Sequence, residues 1–135
     1  MTLEEYIRLP HRWQWGFCDC TLFAADWVVE ATGKDPGADL RGTYFDAIGA
    51  RAVLQAAGGV DRLVGPKLGA LGFQRVQAPQ DGDIGIVHVL TGIDAGCSEF
   101  KDIPAIRFGP LWAVMSARGA MVKSLEWTGV AWRIA

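Results

Sequence analysis

The change of hydrophobic period near residue 78 constrains the fold of this chain more than any other feature. Before it, apolar residues recur at three- and four-residue spacing. After "APQDGD" they come in short β-branched and aromatic runs separated by Gly and Pro. Helices followed by strands argue an α+β fold with an antiparallel sheet. The break leaves a helical half over about residues 1–72 and a sheet half over about 73–135. With 135 residues, the chain reads as one domain able to bury its own core.

In the helical half, "TLEEYIRL" predicts a short helix. Thr2 is its N-cap, Glu5 completes a capping box, and Pro10 ends it. "HRWQWGF" reads as extended, with Trp13 and Trp15 on one side. Asp19 caps a second helix, on which Phe23 and Trp27 share a face with Cys20, and Gly33 stops it. "GKDPGADLRG" is a loop. A third helix runs from Phe45 to Ala57, and a fourth covers "VDRLVGPKLGAL" with an interruption or kink at Gly65-Pro66.

In the sheet half, "DIGIVHVL", "AIRF", "LWAVMSA", "AMVKSLEW" and "GVAWRI" are the expected strands. "TGIDAGCSEFKDIP" lies between the first two. Its length suits a functional or partner-ordered loop, with Cys97 exposed at its centre.

Charge and composition narrow the function. Net charge is -2, from 13 basic and 15 acidic residues, with no block of one sign. That gives no footprint for nucleic acid or for an anionic membrane. "MTLEEYIRLP" is acidic where a signal peptide is basic, and the longest apolar runs, such as "IGIVHVL", are too short for membrane insertion. A soluble protein made in the cytoplasm is expected.

The chemistry is concentrated in "WGFCDCTLFAADWV", which carries two of the three cysteines. Cys18 and Cys20 are too close for an ordinary structural disulfide, and the odd count argues against a disulfide scaffold. Cys20 falls at the first helical position, where the helix dipole and free N–H groups favour a thiolate. As a nucleophile it needs a base, and only His11 and His88 exist. The alternatives are a small buried hydrophobe or a zinc site made by Cys18, Cys20, Cys97 and His88. The C-x-C spacing departs from the usual zinc pair, and neither a metal nor a cofactor is expected. Trp13 and Trp15 suit a platform for sugars or a partner, or simple packing. Asp35, Asp39, Arg41 and Tyr44 suit a substrate-facing loop or a solvated one.

Taken together, "WGFCDCTLFAADWV", "TGKDPGADLRGTY", "GDIGIV" and the closing "AWRI" resemble a family of small phage and prophage proteins related to the NlpC/P60 papain-like cysteine peptidases. The resemblance covers nearly the whole chain. It implies a papain-like fold, with N-terminal helices carrying the cysteine packed on a C-terminal antiparallel sheet carrying the histidine. It implies Asp19-Cys20 as the motif, with Cys20 as nucleophile, and Asp83 opening the Gly-Asp strand. It further implies a virion-tail location, other phage tail proteins as partners, and bacterial peptidoglycan as substrate, through a surface including Trp13, Trp15, Asp35, Arg41 and Tyr44. At the family's histidine position, "PAIRF" places Pro104. His88, near the end of the preceding strand, is the substitute base, because antiparallel neighbours bring that end beside the start of the next strand. Two functions follow: a cell-wall cysteine peptidase using Cys20 and His88, or a catalytically inactive structural tail component that docks neighbouring tail proteins.

Overall fold

The computed structural model describes residues 1–90 and 100–134. Its helices are α1 (Leu3–Arg8), α2 (Cys20–Thr32), α3 (Ala47–Ala57) and α4 (Val60–Ala70). Its strands are β1 (Gln74–Arg75), β2 (Ile84–Leu90), β3 (Phe100–Phe108), β4 (Leu111–Ser116), β5 (Gly119–Lys123) and β6 (Glu126–Arg133). The strands form one six-stranded sheet, in the order β1-β6-β2-β3-β4-β5, and every pairing is antiparallel. The α+β class is therefore as expected, with the helices preceding the sheet.

Local chemistry accounts for the helix ends. Thr2 and Glu5 exchange the two bonds of a capping box at α1. The Asp19 carboxylate accepts from Thr21 and Leu22 at the start of α2, and Gly33 closes that helix in the left-handed conformation. α4 runs through Pro66 without ending, so of the expected interruption or kink the interruption is absent. Three residues buried along one face, Val60, Val64 and Leu68, hold it on the core, and Gly65 before the proline removes one side chain from the crowded turn.

The sheet differs from expectation in three places. β3 begins at Phe100, so "FKDIP", read as loop, is strand, and Pro104 sits within it opposite Ile86. "AMVKSLEW" is divided: β5 ends at Lys123 and β6 begins at Glu126. The two-residue β1, not anticipated, pairs with the end of β6. The rest of "TGIDAGCSEFKDIP", with Cys97, lies outside the described residues.

The apolar core lies between α2 and the sheet. Phe23, Ala24, Trp27 and Val28 of α2 meet Ile84, Ile86, Ile106 and Met115. Trp27 is fixed further by its indole N–H, which donates to the Gly82 carbonyl at 2.9 Å. The opposite face has its own cluster, with Val87, Val89, Ile103 and Trp112. Trp112 fits because β2 has a glycine beneath it: a Cβ on Gly85 would come within 2.5 Å of the indole. β3 and β4 pair at only three positions, the last being Ile106↔Ala113, and then part. α2 makes its main sheet contacts with these two strands.

Candidate functional site

Cys20 is the first residue of α2 and Cys18 lies in the loop before it, where Gln14 and Cys18 form an isolated bridge. Between them, Asp19 is buried and fully engaged. One oxygen accepts from the N–H groups of Thr21 and Leu22 at 3.1 and 3.0 Å. The other accepts from Gly16 N–H at 3.0 Å and from the Tyr44 hydroxyl at 2.5 Å. Gly16 is held against Tyr44 so closely that a Cβ there would meet the Tyr44 carbonyl oxygen at 2.0 Å.

The thiol of Cys20 is turned into apolar surroundings and packs against the cluster of Val87, Ile103 and Trp112. Beside it is a cavity of about 30 Å³, walled in part by Trp15, Leu40, Tyr44, Val53 and Lys101. Burial pushes the thiol up to about 11; the Asp19 carboxylate adds to this, and Lys101 and bonds from Thr21 only partly oppose it. The depressed value expected for a helix start is therefore not found. Two N–H groups that would have stabilised a thiolate already serve Asp19, and desolvation outweighs the dipole. Cys18 is likewise pushed up to about 11, by burial and then by Asp26 and Asp19, against a bond from the Arg12 backbone.

Among the described residues no hydrogen bond joins His88 to Cys20. The imidazole Nδ1 is paired with Asp102, its direct cross-strand neighbour on β3. Glu126 faces it from β6 on the other side. The ladder puts His88 two residues, about 7 Å, beyond the Ile86–Pro104 pair. His11 is also occupied: its Nε2 lies 2.7 Å from the Tyr6 carbonyl, and its ring packs on Tyr6 and Phe23.

Of the expected contact surface, Trp13, Trp15, Asp35 and Arg41 are half-buried and Tyr44 is buried. Tyr44 is buried, 7% exposed, because its hydroxyl serves Asp19, so it is not a surface residue. Arg41 donates to both oxygens of Asp35 at 3.0 Å and meets Asp26 at 2.7 Å, which locks the loop onto α2. Asp35 is consequently held below the usual carboxylate range by the Arg41 bonds, whereas burial raises Asp26. Trp13 and Trp15 are half-buried and touch edge to face at 5.0 Å. Trp13 packs on the main core and Trp15 lines the Cys20 cavity. Asp83 is buried and binds Gln80 N–H and the Arg133 guanidinium.

Exposed apolar side chains gather instead at Phe17, Phe45 and Ile48, and the Phe17 and Phe45 rings lie 6.4 Å apart. Residue spacing hides this patch, since Phe45 and Ile48 read as the start of an ordinary amphipathic helix. The partners Asp102 and Lys101 depend on strand register and carry no local signal. Among the described residues, no group of three or more His, Cys, Asp or Glu side chains is arranged to hold a metal ion. Cys97 of the expected zinc set lies outside them. Among the described residues, no helix is long and apolar enough to cross a membrane.

The chain matches the model of a domain of unknown function, DUF6950, over residues 2–134, and belongs to that family. No curated protein and no solved structure matches it.

Proposed function

We propose that this DUF6950 domain is a papain-like domain of the NlpC/P60 type, located in a phage tail. In this reading it has kept the peptidase scaffold without a working proton relay and acts by docking other tail proteins. The observation that carries the reading is the state of Cys20. Its thiol is half-buried against apolar side chains and is pushed up to about 11, a direction that favours the protonated thiol at neutral pH. The position that the resemblance assigns to the base is Pro104, which has no basic side chain, and among the described residues no hydrogen bond joins His88, paired through Nδ1 with Asp102, to Cys20. A cysteine nucleophile needs a base within hydrogen-bond reach. The buried Asp19, which keeps the motif, is accounted for by capping and by its bond to Tyr44.

The test is incubation of the purified chain with bacterial peptidoglycan, with release of soluble fragments as the readout, beside alkylation of Cys20 against pH. The docking reading expects no release. It expects alkylation that is slow near neutrality, rises only toward pH 11 and is indifferent to His88→Ala. Release of peptidoglycan fragments that is abolished by Cys20→Ser would establish the peptidase instead, with peptidoglycan as substrate.

A further inference from the structure

α3 is strung between two buried anchors. Tyr44 is fixed by its bond to Asp19 and by the close approach of Gly16. Val60, the first residue of α4, is 8% exposed. From residue 45 to residue 59, through the whole of α3, no residue is buried. Phe45 and Ile48 are 70% and 77% exposed and add little to its attachment. What holds the helix is partial: Ala50 and Val53 lie against the cluster of Leu22, Leu40 and Tyr44, and Leu54 lies against the main core. Among the elements, α3 packs chiefly on α4.

Both ends are local in their bonding. Asp46 is extended and exposed, and its carboxylate accepts from the Gly49 N–H of its own helix at 2.7 Å. Gly58 and Gly59 stand at φ +91° and +116°, and nothing lies within 4 Å of the place a Cβ on Gly59 would take. These glycines end the helical run, so α3 and α4 are free to move separately.

Beneath α3 is the cavity of about 30 Å³ beside Cys20. Ala50, Val53 and Leu54 line it from α3, and Trp15, Cys20 and Tyr44 line it from the other side. At that volume it holds about two water molecules at most. A reagent or partner group reaches the thiol from this side only when α3 moves.

A helix of 11 residues is marginal in water without packing. Segments with few buried apolar contacts open at a free energy well below that of global unfolding. α2 is the opposite case, since Leu22, Phe23 and Val28 are almost completely buried.

We propose that α3 is a detachable cover: it leaves α4 and melts between Tyr44 and Val60 while α2 and the sheet stay folded, and this opening controls access to Cys20. The inference goes beyond the docking reading and holds whether or not the thiol is catalytic.

The test is hydrogen exchange of the whole chain, read amide by amide, beside the alkylation rate of Cys20 at one fixed pH, located by fragmentation of the labelled peptide. Amides of α3 are expected to exchange about a hundredfold or more faster than those of Phe23 and Val28, with little response to low urea. Ala52→Gly, exposed in the middle of α3, weakens the helix without touching the cavity. It should raise α3 exchange and Cys20 alkylation together, each about fivefold. Ala31→Gly, exposed on α2, weakens the whole fold but not the cover, so it should speed the α2 amides and leave α3 exchange and Cys20 alkylation unchanged. Three results overturn the proposal: α3 amides that exchange only together with those of α2, an equal response of α3 to Ala31→Gly, or faster α3 exchange in Ala52→Gly with Cys20 alkylation unmoved. None of them bears on the docking reading, which peptidoglycan release decides.

Discussion

The Tyr44 hydroxyl donates to the buried carboxylate of Asp19 across 2.5 Å, and so ties the loop between α2 and α3 to the start of the cysteine helix. Tyr44→Phe leaves one lone pair of a buried carboxylate without its donor. A loss of about 1–3 kcal/mol is expected, read as a lower midpoint in urea unfolding with an unchanged slope. A variant as stable as the parent would show that the bond adds nothing beyond ring packing.

Gly16 lies in the same junction with φ +79°, and a Cβ there would meet the Tyr44 carbonyl oxygen at 2.0 Å. Backbone cannot yield to such an overlap as a flexible side chain does. Gly16→Ala should therefore cost about 3 kcal/mol or more, from backbone strain and displacement of the loop together. Thermal unfolding checks this. Gly33→Ala, at φ +76° with open space around it, is the control and should cost about 1 kcal/mol.

The two thiols predict the alkaline limb of stability. Cys18 and Cys20 are both raised from 9.0 to about 11. Between those values the unfolded chain releases the protons that the folded chain retains. Their contribution is thus fully present below about pH 9 and is lost as pH rises toward 11. Urea midpoints should fall across that window, and more gently in Cys20→Ala. An identical alkaline slope in the variant would count against a buried thiol.

Arg41 serves Asp35 and Asp26 at once. Arg41→Gln removes the cation that most opposes the burial of Asp26, whose carboxyl that burial already raises. The expected loss at pH 7 is about 1–2 kcal/mol, modest because the cluster is partly exposed. Asp35, held low, gives stability that is present above 3.8 and lost as pH falls through its folded value. The difference between variant and parent should therefore shrink on acidification, which paired urea titrations at pH 7 and pH 3 would show.

What could be read before the fold was known followed the range of the interactions. Thr2, Asp19 and Gly33 act within one helical turn of themselves, and the structure places each as its local chemistry requires. Strand existence was also visible in "DIGIVHVL" and "LWAVMSA". Strand limits were not. β3 extends back through Pro104 because pairing with β2, not local preference, decides it. The same limit applies to the site. The cysteine, its cap and both histidines are apparent as residue types. Whether Cys20 is exposed, which acid holds His88 and whether Tyr44 faces solvent are set by register and packing between residues far apart in sequence.

The parting of β3 and β4 beyond Ile106↔Ala113 has a consequence for how this chain can be divided. α2, from the other half of the sequence, makes its main sheet contacts with these same two strands. The helices and the strands are therefore not two modules laid end to end. A cut near residue 78 would yield a sheet with a raw seam through its middle and a helix with nothing to lean on. Gene fusions, split-protein reassembly and exchange of segments between relatives have to carry the cysteine helix and the β3–β4 pair together.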